Sequence, residues 1–262
     1  MRTGVSAEPK MKNSTWLTFP APRPSARVRL FCFPYAGSGS LVYRGWPKHL
    51  PETIEVGVAR LPGRESRLSE APYRRLTQIV EDLAPALSPH LDKPYVFFGH
   101  SMGAMIGFEL ARELRRLKAP GPSHLFVSGR PAPQLRGRTP HNYQLPDPEL
   151  IEELKRLNGT PPEVFSHPEL LELMLPIIRA DFEVVQTYAY RPEPPLACPI
   201  TAFGGVEDAE VSRDELEAWR SQTTGAFRRL MLPGDHFFIH SEQFSILRQI
   251  WSELESSART RA

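Results

Sequence analysis

Cysteine is scarce: Cys32 and Cys198 are the only two among 262 residues. No disulfide framework and no zinc site is expected from them, and both read as buried free thiols. No apolar run approaches the roughly 18 residues of a membrane span. The first residues carry Lys10, Lys12 and Asn13 where a signal peptide would have its apolar core, so the cytosol is the expected compartment. An excess of one charge is missing too. Lys and Arg number 32 against 30 Asp and Glu, a net of +2, which makes no case for nucleic acid or an anionic membrane as partner. Glycine (17) and proline (28) stay below the roughly one quarter of a chain that marks disordered composition. There is no internal repeat and no low-complexity domain. An ordinary α/β domain with an insertion fits the length.

What is present centres on Tyr95-Val96-Phe97-Phe98-Gly99-His100-Ser101-Met102-Gly103-Ala104. A short apolar run reads as a buried strand. Gly99 to Gly103 fits G-x-S-x-G, and Ile106, Leu110, Leu114 and Leu117 then recur at helical spacing. Strand, G-x-S-x-G, helix is the context of a nucleophile elbow, in which strand and helix approach closely and only hydrogen is tolerated at the two glycines.

Around it, strands are expected at Val28 to Phe33, Ile54 to Ala59, His124 to Ser128, Ile200 to Phe203 and Phe227 to Leu232. Helices are expected at Leu41 to Leu50, from Leu76 to Leu87 with a bend at Pro85, and from about Ser241 to Leu254. The alternation predicts a mostly parallel sheet flanked by helices. Residues 134–190 contain no strand signal and read as a helical lid insertion. Within it, Leu150 to Leu157 follows Asp147-Pro148 and stops at Asn158-Gly159, Ser166 to Glu169 fits a capping box, and Pro176 is expected to split the last helix. The expected organisation is a flexible tail at 1–26, a core at 27–133 and 191–255, the insertion, and a flexible tail at 256–262.

Strand C-termini of an open parallel sheet collect active groups. Ser101, Asp208 and His236 stand in such loops in the order Ser, Asp, His. Ser101 is the candidate nucleophile, His236 the base, and Asp208 the carboxylate that orients it, with Glu207 as the alternative acid. Asp235 is too close along the backbone to reach the neighbouring ring, and His100 is expected to point away from the serine. The backbone N–H groups of Met102, and of Ala36 in the loop after the first long strand, are the candidate oxyanion donors. Met105, Phe182 and Tyr188 are candidate pocket residues. Arg60, Arg64 and Arg67 cluster near the mouth, either to meet an acidic partner or as a solvated loop. No metal site is expected.

Phe33-Pro34-Tyr35-Ala36-Gly37-Ser38, Leu61-Pro62-Gly63-Arg64-Glu65, Gly99 to Ala104, Gly204 to Asp208 and Gly234-Asp235-His236-Phe237-Phe238 together resemble the stand-alone type II thioesterases of polyketide and nonribosomal peptide assembly lines, within the α/β-hydrolase superfamily. The resemblance covers roughly residues 27–255. It implies hydrolysis of stalled or aberrant acyl groups from the phosphopantetheine arm of acyl or peptidyl carrier proteins, with no cofactor of the enzyme's own and a monomeric chain. Carboxylesterases and lipases share the same triad on oxygen esters. Acyltransferases carry Gly-His-Ser-x-Gly, and a non-catalytic carrier-binding module is a further alternative.

Overall fold

Side chains alternate across a strand, so a run that is apolar at every position needs cover on both faces. The computed structural model of the chain, which describes residues 16–135, 141–160 and 162–261, provides that cover. Its sheet has seven strands: β1 (Leu17–Thr18), β2 (Val28–Phe33), β3 (Ile54–Ala59), β4 (Tyr95–His100), β5 (Leu125–Ser128), β6 (Ile200–Gly205) and β7 (Phe227–Leu232). Their order is β1-β3-β2-β4-β5-β6-β7. All neighbours run parallel except β1, which lies antiparallel on β3.

Phe31, Phe33 and Phe97 face one layer, formed by α1 (Leu76–Leu87) and α2 (Met102–Arg116), and pack with Ile79, Leu83, Leu110 and Leu114. Leu30, Cys32, Val96 and Phe98 face the other. There they meet Tyr43, Trp46 and Ile246 and Ile250 of α8 (Gln243–Arg261). The expected fold class is therefore the observed one. Among the described residues no helix is long and apolar enough to cross a membrane.

Between β5 and β6 the chain builds α3 (Asp147–Leu157), α4 (Pro162–Phe165) and α5 (Pro168–Gln186), with no strand among the described residues. Leu150, Leu154, Leu175 and Ile178 give this insertion a small core of its own. Asn158, in the left-handed region at φ 58°, ends α3 as the Asn-Gly pair predicts. Positions 136–140 and 161 of the insertion lie outside the described residues.

Several expectations need correction. Pro176 does not split the helix: α5 runs through it, because losing one backbone bond is outweighed where Leu175 and Ile178 are buried on either side. The Ser166 capping box does not form. The Ser166 hydroxyl donates to the Glu163 carbonyl at 2.8 Å, and His167 becomes the N-cap with Pro168 at the first helical position. Leu41 to Leu50 is two 3-10 turns, Ser40–Tyr43 and Trp46–His49, interrupted at Gly45.

The ordered chain also starts before residue 27. β1 is an edge strand, and the Arg23 guanidinium donates to the carbonyls of Pro47, Leu50, Pro51 and Ile54 at 2.6–3.1 Å. Residues 1–15 of the expected tail lie outside the described residues. At the other end α8 continues to Arg261, so helix occupies most of the segment 256–262 expected as a tail.

Glycine is obligatory where strand β4 passes into α2. A Cβ on Gly99 would lie 2.0 Å from the Gly103 carbonyl oxygen, and one on Gly103 would lie 2.0 Å from the Phe33 carbonyl oxygen of β2. Gly103→Ala is expected to lower stability by about 1–3 kcal/mol or more, read as a fall in the urea midpoint. Gly45→Ala is the control. Its Cβ would meet nothing within 4 Å and its φ is −79°, so it should stay within about 0.5 kcal/mol.

Candidate active site

Ser101 ends β4 and begins α2 with φ 50° and ψ −112°. That is positive φ for a residue with a side chain, and such strain persists only where the surroundings over-determine it. They do so here on both flanks. The Ser101 N–H donates to the Ser128 carbonyl of β5 at 2.8 Å, and the Gly103 backbone rests on Phe33 of β2. The hydroxyl is lifted to the wall of a cavity of about 1110 Å³, which Asp208 and His236 also line.

Asp208 stands in the turn after β6, His236 in the loop after β7. His236 Nδ1 lies 2.9 Å from Asp208 Oδ2, with the carboxylate side chain fully buried and the imidazole 14% exposed. A carboxylate only accepts, so Nδ1 carries the proton and Nε2 is left as an acceptor. The other oxygen, Oδ1, accepts from the Glu210 and Val211 backbone N–H groups at 2.8 and 3.2 Å. These bonds fix the carboxylate plane before any substrate arrives. Glu207, the alternative acid, is exposed at the turn. Asp235 turns to its own loop, accepting from the Phe237 N–H at 2.8 Å and from Asn158 Nδ2 at 3.1 Å.

Ala36 sits at the second position of a turn closed by Ser38 N–H to the Tyr35 carbonyl at 3.1 Å, with Gly37 third at φ 76°. This is a type II turn, and the Ala36 N–H takes no part in its closing bond. Met102 opens α2, whose first N–H groups have no acceptor within the helix. Ala36, Met105, Phe182 and Tyr188 line the same cavity as Ser101. Tyr188 is tied to the wall by its hydroxyl, which donates to Glu109 Oε1 at 2.6 Å.

His100 is fully buried behind the site rather than at its rim. Its Nδ1 is 2.9 Å from the Ser128 hydroxyl, and its ring lies 5.3 Å from that of His236. Burial first, then the proximity of His236 and His240, hold its pKa well below the ordinary imidazole value. His124, stacked on Phe126 at 4.1 Å and held to the Thr201 hydroxyl at 2.9 Å, is equally structural.

The arginine expectation is corrected for two of the three residues. Arg64 and Arg67 are buried. Arg67 grips Glu70 and the Arg60 carbonyl and lies over the Trp16 ring at 4.3 Å. Arg64 forms a bidentate pair with Asp181 of α5, both contacts at 2.8 Å. Neither offers a free cation to a partner. Asp181 itself escaped the sequence reading. The only signal for it was an acid on the apolar face of a helix, between Ile178 and Val184.

A strained serine on a mostly parallel sheet, with an Asp-bound imidazole facing the same cavity, defines a serine hydrolase of the α/β-hydrolase fold. Comparison with known proteins narrows this. The thioesterase domain family matches residues 28–254, and the chain belongs to that family. A Brevibacillus parabrevis protein named linear gramicidin dehydrogenase LgrE is 46% identical over 246 residues, 93% of this chain and 94% of that one. RedJ, a thioesterase from the prodiginine biosynthetic pathway in Streptomyces coelicolor, superposes with a TM-score of 0.83 at 40% identity, covering 89% of this chain and 95% of its own. BorB, a type II thioesterase from the borrelidin biosynthetic cluster, gives 0.84 at 36% identity over 91% and 97%. The chain is thus a hydrolase of thioesters.

The two acids make opposite predictions. Asp208→Asn is expected to lower turnover by about 10²–10⁴-fold, by placing the imidazole in the wrong tautomer. Glu207→Gln should stay within about twofold, since an exposed carboxylate has nothing to orient. Steady-state hydrolysis of an acyl thioester by the two purified variants measures both.

Proposed function

We propose that this protein clears stalled or aberrant acyl groups from the phosphopantetheine arm of acyl or peptidyl carrier proteins, with Ser101, Asp208 and His236 as its catalytic triad. The observation that carries the reading is the 2.9 Å contact of His236 Nδ1 with Asp208, in a cavity that Ser101 shares. It leaves Nε2 available to the serine hydroxyl.

Ser101 Oγ attacks the thioester carbonyl as its proton passes to His236 Nε2. The imidazolium that forms is stabilised by the buried Asp208 carboxylate. Negative charge gathers on the carbonyl oxygen, where the Ala36 and Met102 N–H groups donate to it. Such donors are each worth about 3–4 kcal/mol in comparable enzymes, and the start of α2 adds its dipole. The carbon–sulfur bond then breaks. A thiol ionises near pKa 8.5, so the pantetheine sulfur departs readily and takes the proton from His236. Water, deprotonated by the same Nε2, attacks the acyl-serine; the carboxylic acid leaves and Ser101 recovers its proton. No step calls for a cofactor, and the pantetheine arm is part of the substrate.

The cavity, about 1110 Å³, slightly exceeds the roughly 300–1,000 Å³ usual for small-molecule sites. Met174, Ile178, Phe182 and Val185 of the insertion give it an apolar wall. That supports an acyl chain of some length, and it supports the role of residues 134–190 as the lid over the substrate. The pathways named for RedJ and BorB support an assembly-line setting. In that setting the enzyme works as a monomer in the cytosol beside its carriers.

Ser101→Ala is expected to lose on the order of 10³-fold or more in hydrolysis and to lose labelling by a fluorophosphonate, with the melting temperature nearly unchanged. The wild type should hydrolyse acyl groups loaded on a carrier protein faster than matched oxygen esters. It should form no new acyl product when a second acyl acceptor is supplied. Near-normal turnover of Ser101→Ala removes the mechanism, and preference for the oxygen ester removes the substrate class.

A further inference from the structure

Asp181 occupies a place that the hydrolytic mechanism alone does not explain. Its side chain is 2% exposed, on α5, far along the chain from the strand loops that carry the triad. One of its oxygens, Oδ2, accepts two bonds: from Arg64 Nη1 and from the backbone N–H of Gly37, both at 2.8 Å. The other, Oδ1, accepts from Arg64 Nη2 at 2.8 Å. Gly37 is the residue after Ala36.

The same loop is held from below. Arg64 Nη1 also donates to the Ser38 carbonyl at 2.7 Å. Glu65 accepts from the Ser40 hydroxyl at 2.6 Å and the Leu41 N–H at 3.1 Å. Packing leaves little slack, since a Cβ on Gly37 would lie 3.0 Å from Ile178 Cγ1 of α5.

In a type II turn the N–H of the second residue lies in the first peptide plane, and that residue's φ and ψ set the angle between this plane and the next. The Gly37 N–H belongs to the plane between Ala36 and Gly37, so anchoring it fixes ψ of Ala36 and with it the tilt of the turn. We infer that Asp181 is the positioning residue of the oxyanion loop: by holding the Gly37 N–H, it sets the aim of the Ala36 N–H at the developing oxyanion. Arg64 holds the Asp181 carboxylate in place. This inference rests on the reading of Ala36 as an oxyanion donor.

The consequence is a division of labour along α5. Ile178, Phe182 and Val185 line the cavity, while Asp181, on the neighbouring stripe, reaches the Ala36–Gly37 loop. One helix of the insertion therefore meets both the cavity and that loop. Donors misaimed by a fraction of an ångström lose much of their effect, because the hole must fit the tetrahedral oxygen rather than the ground-state carbonyl.

Removing Asp181 alone would strand the Arg64 charge in a buried site, so the test pairs two variants. Arg64→Met combined with Asp181→Asn leaves no buried cation and keeps an oxygen that can accept from Gly37, so it is the acceptor-retaining control. The apolar variant, Arg64→Met with Asp181→Leu, is of similar volume and has no acceptor. With an octanoyl N-acetylcysteamine thioester as substrate, the apolar variant is expected to lose about tenfold or more in kcat with KM within about twofold, a signature of lost transition-state stabilisation. Its affinity for an alkyl boronic acid, which forms a tetrahedral adduct on the serine, should fall in parallel. The acceptor-retaining control should keep kcat within about threefold.

Equal kcat in the two variants, whether both normal or both impaired per folded molecule by thermal melting, overturns the inference. So does a loss confined to KM. Ser101→Ala assayed alongside separates the cases: if it is inactive while the apolar variant is normal, only the role of Asp181 fails. If it is active, the underlying mechanism fails as well.

Discussion

The bend at Ser101 is the constraint that the rest of the structure serves. A side-chain-bearing residue at φ 50° and ψ −112° costs on the order of 1–3 kcal/mol, and the local bond from the Ala104 N–H to the Ser101 carbonyl at 3.1 Å is one that any helix start can make. The compensation comes from the strands on either side. β5 accepts the Ser101 N–H, and β2 presents its Phe33 carbonyl to the Gly103 backbone. The elbow therefore exists only if β4 lies between β2 and β5. Once that order is set, the turn after β6 and the loop after β7 lie along the same edge of the sheet, and an Asp and a His distant in sequence come into contact.

Beside His236 lies a second imidazole that stays neutral. His100 lies against the His236 ring, yet it is fully buried, bonded to Ser128, and edged by Tyr35 and Phe238. Burial holds it neutral. The His236 imidazole thus meets a neutral ring on one side and the buried Asp208 carboxylate at its Nδ1.

The insertion is fastened to the core at functional points. Arg156 of α3 pairs with Glu210 just beyond Asp208 at 3.0 Å, Asn158 bonds Asp235 just before His236, and Asp181 of α5 pairs with Arg64. The first pair is largely solvated and worth little by itself. The last is buried, and breaking one partner of such a pair costs about 3–5 kcal/mol. The insertion has its own small apolar core and is joined to the main one through Val184 as well as by these polar ties.

Local pattern was enough for the core strands and the elbow, because continuous apolar runs and the glycine spacing are written in consecutive residues. β3 and β7 match their expected bounds, and Ser101, Asp208 and His236 stand in the loops read for them. Turns and caps were less legible. Ser166 had two possible partners and took the carbonyl of Glu163, and Pro176 was carried through by the packing around it. Arg64 shows the limit most clearly. Its charge, in a loop of Pro and Gly, reads as surface, and only the helix folded over it, bringing Asp181 within 2.8 Å, makes it interior. What the amino-acid order by itself determined was the long strands of the sheet, the elbow, and where a serine, an imidazole and an acid lie at their ends. Which acid meets the imidazole, which cations are buried, and what holds the Ala36 loop were decided only in the folded molecule. Those contacts join residues distant in the chain, 28 positions for Asp208 and His236 and 117 for Arg64 and Asp181, and no local preference encodes them.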